Sequence, residues 1–271
     1  MDASTSSVPK CSLVNSVISD SKFSNARTSP VSGLVSFLLC LFLPFSIAQA
    51  GEWHYSHAGP TVAIGDVHGA YDALTATLEA ADVIGSDLAW VGGNTHLVFT
   101  GDLLDRGPDS RRVMDLVMRL EREALVAGGR VHLVLGNHEV MNLIGDLRYV
   151  AGEEYAAFVD VETADERDFW HRRFRDRKTG DSDESTIRWE FDEQAPPGFF
   201  GHRRAFRRDG KYGSWLLEKP FMVVINGTVF VHGGLPPYVS EFGLAGVNHE
   251  LKQELLDYVT TAAMLELSLI H

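Results

Sequence analysis

The sequence predicts an α/β domain built on a parallel, helix-covered sheet, and three observations predict it. Past residue 51, short apolar runs alternate with stretches of helical period in the order β-α-β-α-β. Each of the three apolar runs ends in a Gly and a polar residue, marking a strand that stops at a turn. Those turns carry Asp, His and Asn, at the carboxyl ends where open α/β sheets assemble their chemistry.

Thr61-Val62-Ala63-Ile64 reads as a first buried strand, followed by a helix from Tyr71 to about Ala81. His96 to Thr100 is the second strand. Arg111 to about Ala127 is a helix with Val113, Leu116, Val117 and Leu120 on one face. Val131 to Leu135 is the third strand. From Glu139 to Phe221 no strand pattern recurs. A charged helical part (Ala164 to about Arg175), a polar loop (Thr179 to Ser185) and Pro196-Pro197-Gly198 predict a helical insert over about 145–215. Phe221 to Ile225 and Thr228 to Val231 flank Asn226-Gly227, a strong short hairpin signal. The segment from about Val247 to Leu269 reads as a helix.

Composition narrows the function. The chain has 271 residues, 45% hydrophobic and 23% charged, enough for one globular domain or a little more. Its net charge is -13; three cations and two anions leave residues 1–50 at +1, so the remainder carries -14. So acidic a body repels polyanions and excludes bulk nucleic-acid binding. Both cysteines, Cys11 and Cys40, lie in the first fifty residues. Those residues are Ser-rich and basic, then nearly all apolar from Leu34 to Ile47, and end in Ala48-Gln49-Ala50. That pattern predicts a signal peptide over 1–50, cleaved after Ala50, with export to the periplasm or medium and no stable membrane insertion afterwards. The mature chain, 51–271, then has no thiol, which excludes a cysteine nucleophile and a thiolate metal site.

Four polar motifs follow in series: Gly65-Asp66-Val67-His68-Gly69, Gly101-Asp102-Leu103-Leu104-Asp105-Arg106-Gly107, Gly136-Asn137-His138-Glu139 and His232-Gly233-Gly234. Asp66 and His68 alternate around Val67, so an extended strand end would point both the same way, to chelate one ion. Asp102 comes 34 residues after His68 and Asn137 comes 35 after Asp102, one β-α step each. Asp102 is the expected bridging carboxylate; Asn137 and His232 are the expected ligands of a second ion. Two such ions lower the pKa of a shared water and clamp phosphoryl oxygens. Arg106 has the planar fork that matches two phosphate oxygens. His138, held by Asp105, is placed to protonate a leaving alcohol.

In these motifs the chain resembles the phosphoprotein phosphatase branch of the calcineurin-like metallophosphoesterases. Its Asn137–Glu154 stretch and Gly213-Ser214-Trp215-Leu216-Leu217 resemble the Shewanella-like subgroup. The resemblance implies a β-sandwich flanked by helices, with two divalent ions such as manganese, iron or zinc. By motif match it implies metal ligation by Asp66, His68, Asp102, Asn137 and His232, phosphate binding by Arg106, and a His138–Asp105 acid pair. It also implies a phosphoprotein or phosphopeptide substrate, with a lean towards phosphotyrosine. The family's further Gly-His-Thr histidine and second arginine have no counterpart after His232, so the fold is expected to be incomplete at its C-terminal side. Gly-Asp-Leu-Leu-Asp-Arg-Gly-Pro also resembles symmetric dinucleoside tetraphosphatases, which makes a dinucleoside polyphosphate or nucleotide the alternative substrate. A phosphate-binding relic without turnover is the non-enzymatic reading.

Overall fold

The structure, a computed structural model, describes residues 53–178, 183–235, 237 and 239–270. The chain divides into Met1–Ile47 and Ala48–His271. The leader expected over 1–50 lies outside the described residues, as does part of the expected polar loop 179–185.

Within the second unit, the described residues form two three-stranded sheets. Strands β2 (Thr61–Ile64), β3 (His96–Phe99) and β4 (Arg130–Leu133) pair in parallel in that order. The other sheet has the order β1 (His54–Tyr55), β5 (Met222–Ile225), β6 (Thr228–Val231), with β1 parallel and β6 antiparallel to β5. The hairpin closes at Asn226-Gly227, where both residues take positive φ as a tight two-residue turn requires. Asn226 also ties the far sheet edge down, accepting from Ala58 N–H and donating to Ala58 O. The two-residue strand β1 carried no sequence signal; it exists because it pairs with β5.

Alternation along β3 divides the core. Leu97 and Phe99 join a cluster with the helices, while Val98 meets Val134, Val223 and Ile225 between the sheets. All four β3 residues are buried, as a central parallel strand requires. The expected burial of the whole of Thr61–Ile64 is not found. Only Val62 and Ile64 pack inward, because β2 is the edge of its sheet among the described strands.

Helix α1 (Tyr71–Ala80) follows β2, and α2 (Ser110–Val126) follows β3, presenting Val113, Leu116, Val117 and Leu120 to the core. The short α3 (Asn137–Ile144) follows β4. The strandless region is helical: α4 (Gly152–Ala156), α5 (Ala164–Asp176), α6 (Glu184–Gln194), α7 (Phe199–Ala205) and α8 (Lys211–Leu216). Thr163 and Asp183 start α5 and α6 by accepting the N–H of Glu166 and Thr186. The last helix, α9 (Val239–Ile270), starts earlier than expected and kinks at Gly243, whose φ of 69° breaks the helical path. Its Asn248 side chain accepts from the N–H of Phe221 and Met222 and donates to Met222 O, anchoring α9 to β5.

Candidate metal centre

The loops after β2, β3 and β4 converge beside His232, which leaves the end of β6. Among the described residues nine non-glycine positions have φ in the left-handed region, and five of them are Asp66, His68, Asp102, Asp105 and Arg106. Each such residue costs about 1–2 kcal/mol in isolation. The concentration of strain in the two motifs is held by cross-loop hydrogen bonds. His68 N–H donates to Asp102 O, Gly69 N–H to Leu103 O, and Arg106 N–H to Tyr149 O, each at 2.9 Å. The loops also touch backbone to backbone. A Cβ on Gly107 would lie 2.2 Å from His68 O, and one on Gly136 would lie 2.3 Å from Asp102 Oδ1.

Asp102 is the focus. It is buried, and its Oδ1 accepts the His138 backbone N–H at 3.1 Å. Its Oδ2 faces three imidazoles: His232 Nε2 at 3.3 Å, His68 Nε2 at 3.8 Å and His138 Nε2 at 3.9 Å. Two of the rings are oriented from behind. His68 Nδ1 donates to Leu104 O and His232 Nδ1 to Thr100 O, both at 2.9 Å, which turns each Nε2 lone pair inward. His68 Nε2 is buried with no hydrogen-bond partner. A buried imidazole nitrogen left open beside a carboxylate is what a divalent cation would satisfy, so the donors present fit a metal. Asn137 Oδ1 lies 3.0 Å from His232 Nε2, bringing the third and fourth motifs together.

The five expected ligands thus gather at one place, but their grouping differs from the expected one. The compact sets are Asp66, Asp102 and His232, and His68, Asp102 and His138, with the ligand atoms of each set within 4.8 Å of one another. The extended strand end expected to carry Asp66 and His68 is not found. β2 ends at Ile64, and φ of 45° at Asp66 and 48° at His68 curls the backbone between them. Asp66 is left on the exposed side of the cluster and His68 on the half-buried side.

His138 is buried, and its Nδ1 lies 2.6 Å from Asp105 Oδ2. Its Nε2 accepts from Arg106 Nη2 at 3.2 Å, so the remaining proton sits on Nδ1 towards Asp105. Asp105 Oδ1 accepts from Asn142 Nδ2 at 2.8 Å, and Asp105 N–H donates to Ser110 Oγ at 3.0 Å. Ser110 in turn donates to Glu154 Oε2 at 2.9 Å. Burial, with the Asp105 charge nearby, pushes the Glu154 carboxyl up to about 8. Burial among aromatic rings pushes the adjacent His202 down to about 3. His202 is fully buried although it opens a basic run that continues through Arg203 and Arg204.

Glu139 is the support that sequence reasoning marked in its motif but left without a role. It is fully buried and accepts the N–H groups of Asp102 at 2.8 Å, Leu103 at 2.8 Å and Gly136 at 2.9 Å. Burial pushes its carboxyl up, and the three donors pull against that. Ser110, Asn142, Glu154 and Tyr149 had no role assigned from the sequence. Only Asn142 left a trace, one helical turn after His138.

A family model, calcineurin-like phosphoesterase, matches residues 59–259. Shewanella-like protein phosphatase 2 of Arabidopsis thaliana is 35% identical over 205 residues, 70% of this chain and 50% of the relative. The solved cold-active protein-tyrosine phosphatase of a psychrophilic Shewanella species is 30% identical with a TM-score of 0.54, over 74% of this chain and 50% of that one. A symmetrical bis(5'-nucleosyl)-tetraphosphatase of Enterobacter sp. is 37% identical over 117 residues, only 42% of this chain. The chain spans about half the length, or less, of the relatives it matches.

Proposed function

Because this chain belongs to the calcineurin-like phosphoesterase family, we propose that its cluster of Asp, His and Asn side chains serves a metal-dependent phosphomonoesterase acting on phosphoproteins, with phosphotyrosine among its substrates. One observation carries the reading. A buried carboxylate oxygen, Asp102 Oδ2, faces the Nε2 of His232 and of His68, and both rings are fixed by backbone carbonyls. In this reading Asp66, His68, Asp102, Asn137 and His232 hold two divalent ions, drawn from manganese, iron and zinc. Such ions, when bound, supply Lewis acidity to the phosphoryl oxygens and a water that is nucleophilic at neutral pH.

The remaining work falls to the chain's own residues. Arg106 is exposed at the rim and reaches inward to His138; its fork takes two phosphate oxygens when substrate arrives. That movement uncovers His138 Nε2, which takes up a proton from solvent and then delivers it to the leaving oxygen. Asp105 holds Nδ1–H and stabilises the charged ring before transfer. Asn142 and Ser110 keep Asp105 in place. Support for a protein substrate over a dinucleoside polyphosphate comes from coverage. The phosphatase relatives match about 70% of the chain, whereas the tetraphosphatase matches 42%. The leader pattern over 1–50 supports export as the setting.

The test is hydrolysis of p-nitrophenyl phosphate with and without manganese, using wild type and Asp102→Asn. Activity that requires manganese and disappears in the variant supports the proposal. Metal-independent activity, or full activity in the variant, would overturn it.

A further inference from the structure

A cleft of about 340 Å³ lies at the C-terminal end of α3, away from the metal cluster. Trp170 of α5 and Phe199 and Phe200 of α7 wall it, all half-buried, with Trp170 and Phe200 stacked at 6.0 Å and 4° between their planes. Arg203, Arg204 and Arg207 line it as well, against a single lining carboxylate, Glu166. In a chain of net charge -13 this is a locally positive site. Arg204 is engaged, donating to Glu166 and to Val161 O. Arg207 is half-buried, and among the described residues its guanidinium has no hydrogen bond or ion pair. A guanidinium held partly out of water beside aromatic walls is matched by an anion with an apolar neighbour.

The cleft is joined to the acid pair. Arg203 donates to Asn142 O at 2.9 Å, and Asn142 donates to Asp105 at 2.8 Å. Helix α3 carries Asn137 and His138 at one end, and the cleft is at the other. Its eight residues span ~12 Å, the reach of about four extended residues.

Resting on the phosphatase reading above, we infer that this cleft is a docking subsite for the substrate chain: it takes an acidic residue and an adjoining aromatic side chain about four positions from the phosphorylated residue. Arg207 binds the carboxylate, and Trp170 with Phe200 packs the ring. The partner is an acidic peptide segment, selected by charge complementarity against the otherwise acidic surface.

Fluorescence anisotropy with two labelled, unphosphorylated peptides tests this, one carrying Asp-Phe and the other Lys-Phe. The Asp-Phe peptide binds wild type about ten-fold more tightly, the size of one charge-assisted hydrogen bond. Arg207→Glu removes the difference and Trp170→Ala weakens both peptides. Arg122→Glu, the same charge change at an exposed site on α2, leaves the difference intact. Equal affinity of the two peptides for wild type would overturn the inference, as would equal losses in Arg207→Glu and Arg122→Glu. Peptide preference without p-nitrophenyl phosphate turnover would sink the phosphatase reading and leave the cleft standing as a peptide site.

Discussion

Glu139→Gln is the sharpest test of how the centre is built. The carboxylate receives three backbone donors: Oε2 takes Asp102 and Gly136, and Oε1 takes Leu103. A glutamine of the same shape keeps at most two of these and sets its own N–H₂ against the third. One charge-assisted bond is lost, about 1.5–3 kcal/mol, and one buried amide is orphaned, about 1–3 kcal/mol. The sum is about 2.5–6 kcal/mol. At about 2–4 °C per kcal/mol for a domain of this size, the melting temperature drops by about 5–24 °C. The same bonds hold the Asp102 backbone in its left-handed turn, so metal affinity falls by about 10–100-fold. Differential scanning fluorimetry with and without manganese, and calorimetric titration of the metal, read both effects. A loss under about 1 kcal/mol would refute the reasoning. It would mean that the carboxyl sits protonated, as burial alone would have it, and that a neutral amide serves as well.

Gly136→Ala drives a Cβ to 2.3 Å from Asp102 Oδ1, so metal binding measured by calorimetry is lost while helix content by circular dichroism persists. His138→Asn lowers kcat by about 10²–10⁴-fold on a phosphoseryl peptide and far less on p-nitrophenyl phosphate, whose leaving group needs no proton; equal losses on both argue against an acid role. His132, buried and stacked on His96, is held down to about 3 by burial and by neighbouring charge from His96 and Arg130. Its unfolded form takes up a proton near pH 6.5, so stability is lost as pH falls from 6.5 towards 3. The slope is about 1.4 kcal/mol per pH unit, and urea midpoints of wild type and His132→Asn diverge accordingly between pH 7 and 5.

The period of apolar residues located β2, β3, β4 and the β5–β6 hairpin to within two residues, because burial on a sheet imprints directly on sequence. Asn226-Gly227 marked its turn because few residues tolerate positive φ. The polar motifs were legible for a related reason: metal chemistry restricts residue type, so Asp, His and Asn at successive strand ends stand out. What went unread depends on partners far along the chain. The two-residue β1 exists only as a neighbour of β5, and Glu154 and Ser110 meet the site across 44 residues.

The chain order of Asp66, His68, Asp102, Asn137 and His232 determined which atoms are available as donors and that they come from strand ends. Tertiary structure alone decided their grouping, with Asp66 beside His232 and His68 beside His138. That sorting follows from left-handed backbone at five motif residues, a conformation these side chains disfavour locally. Local preference would have left those loops extended, and only hydrogen bonds and close backbone contacts between loops hold them curled.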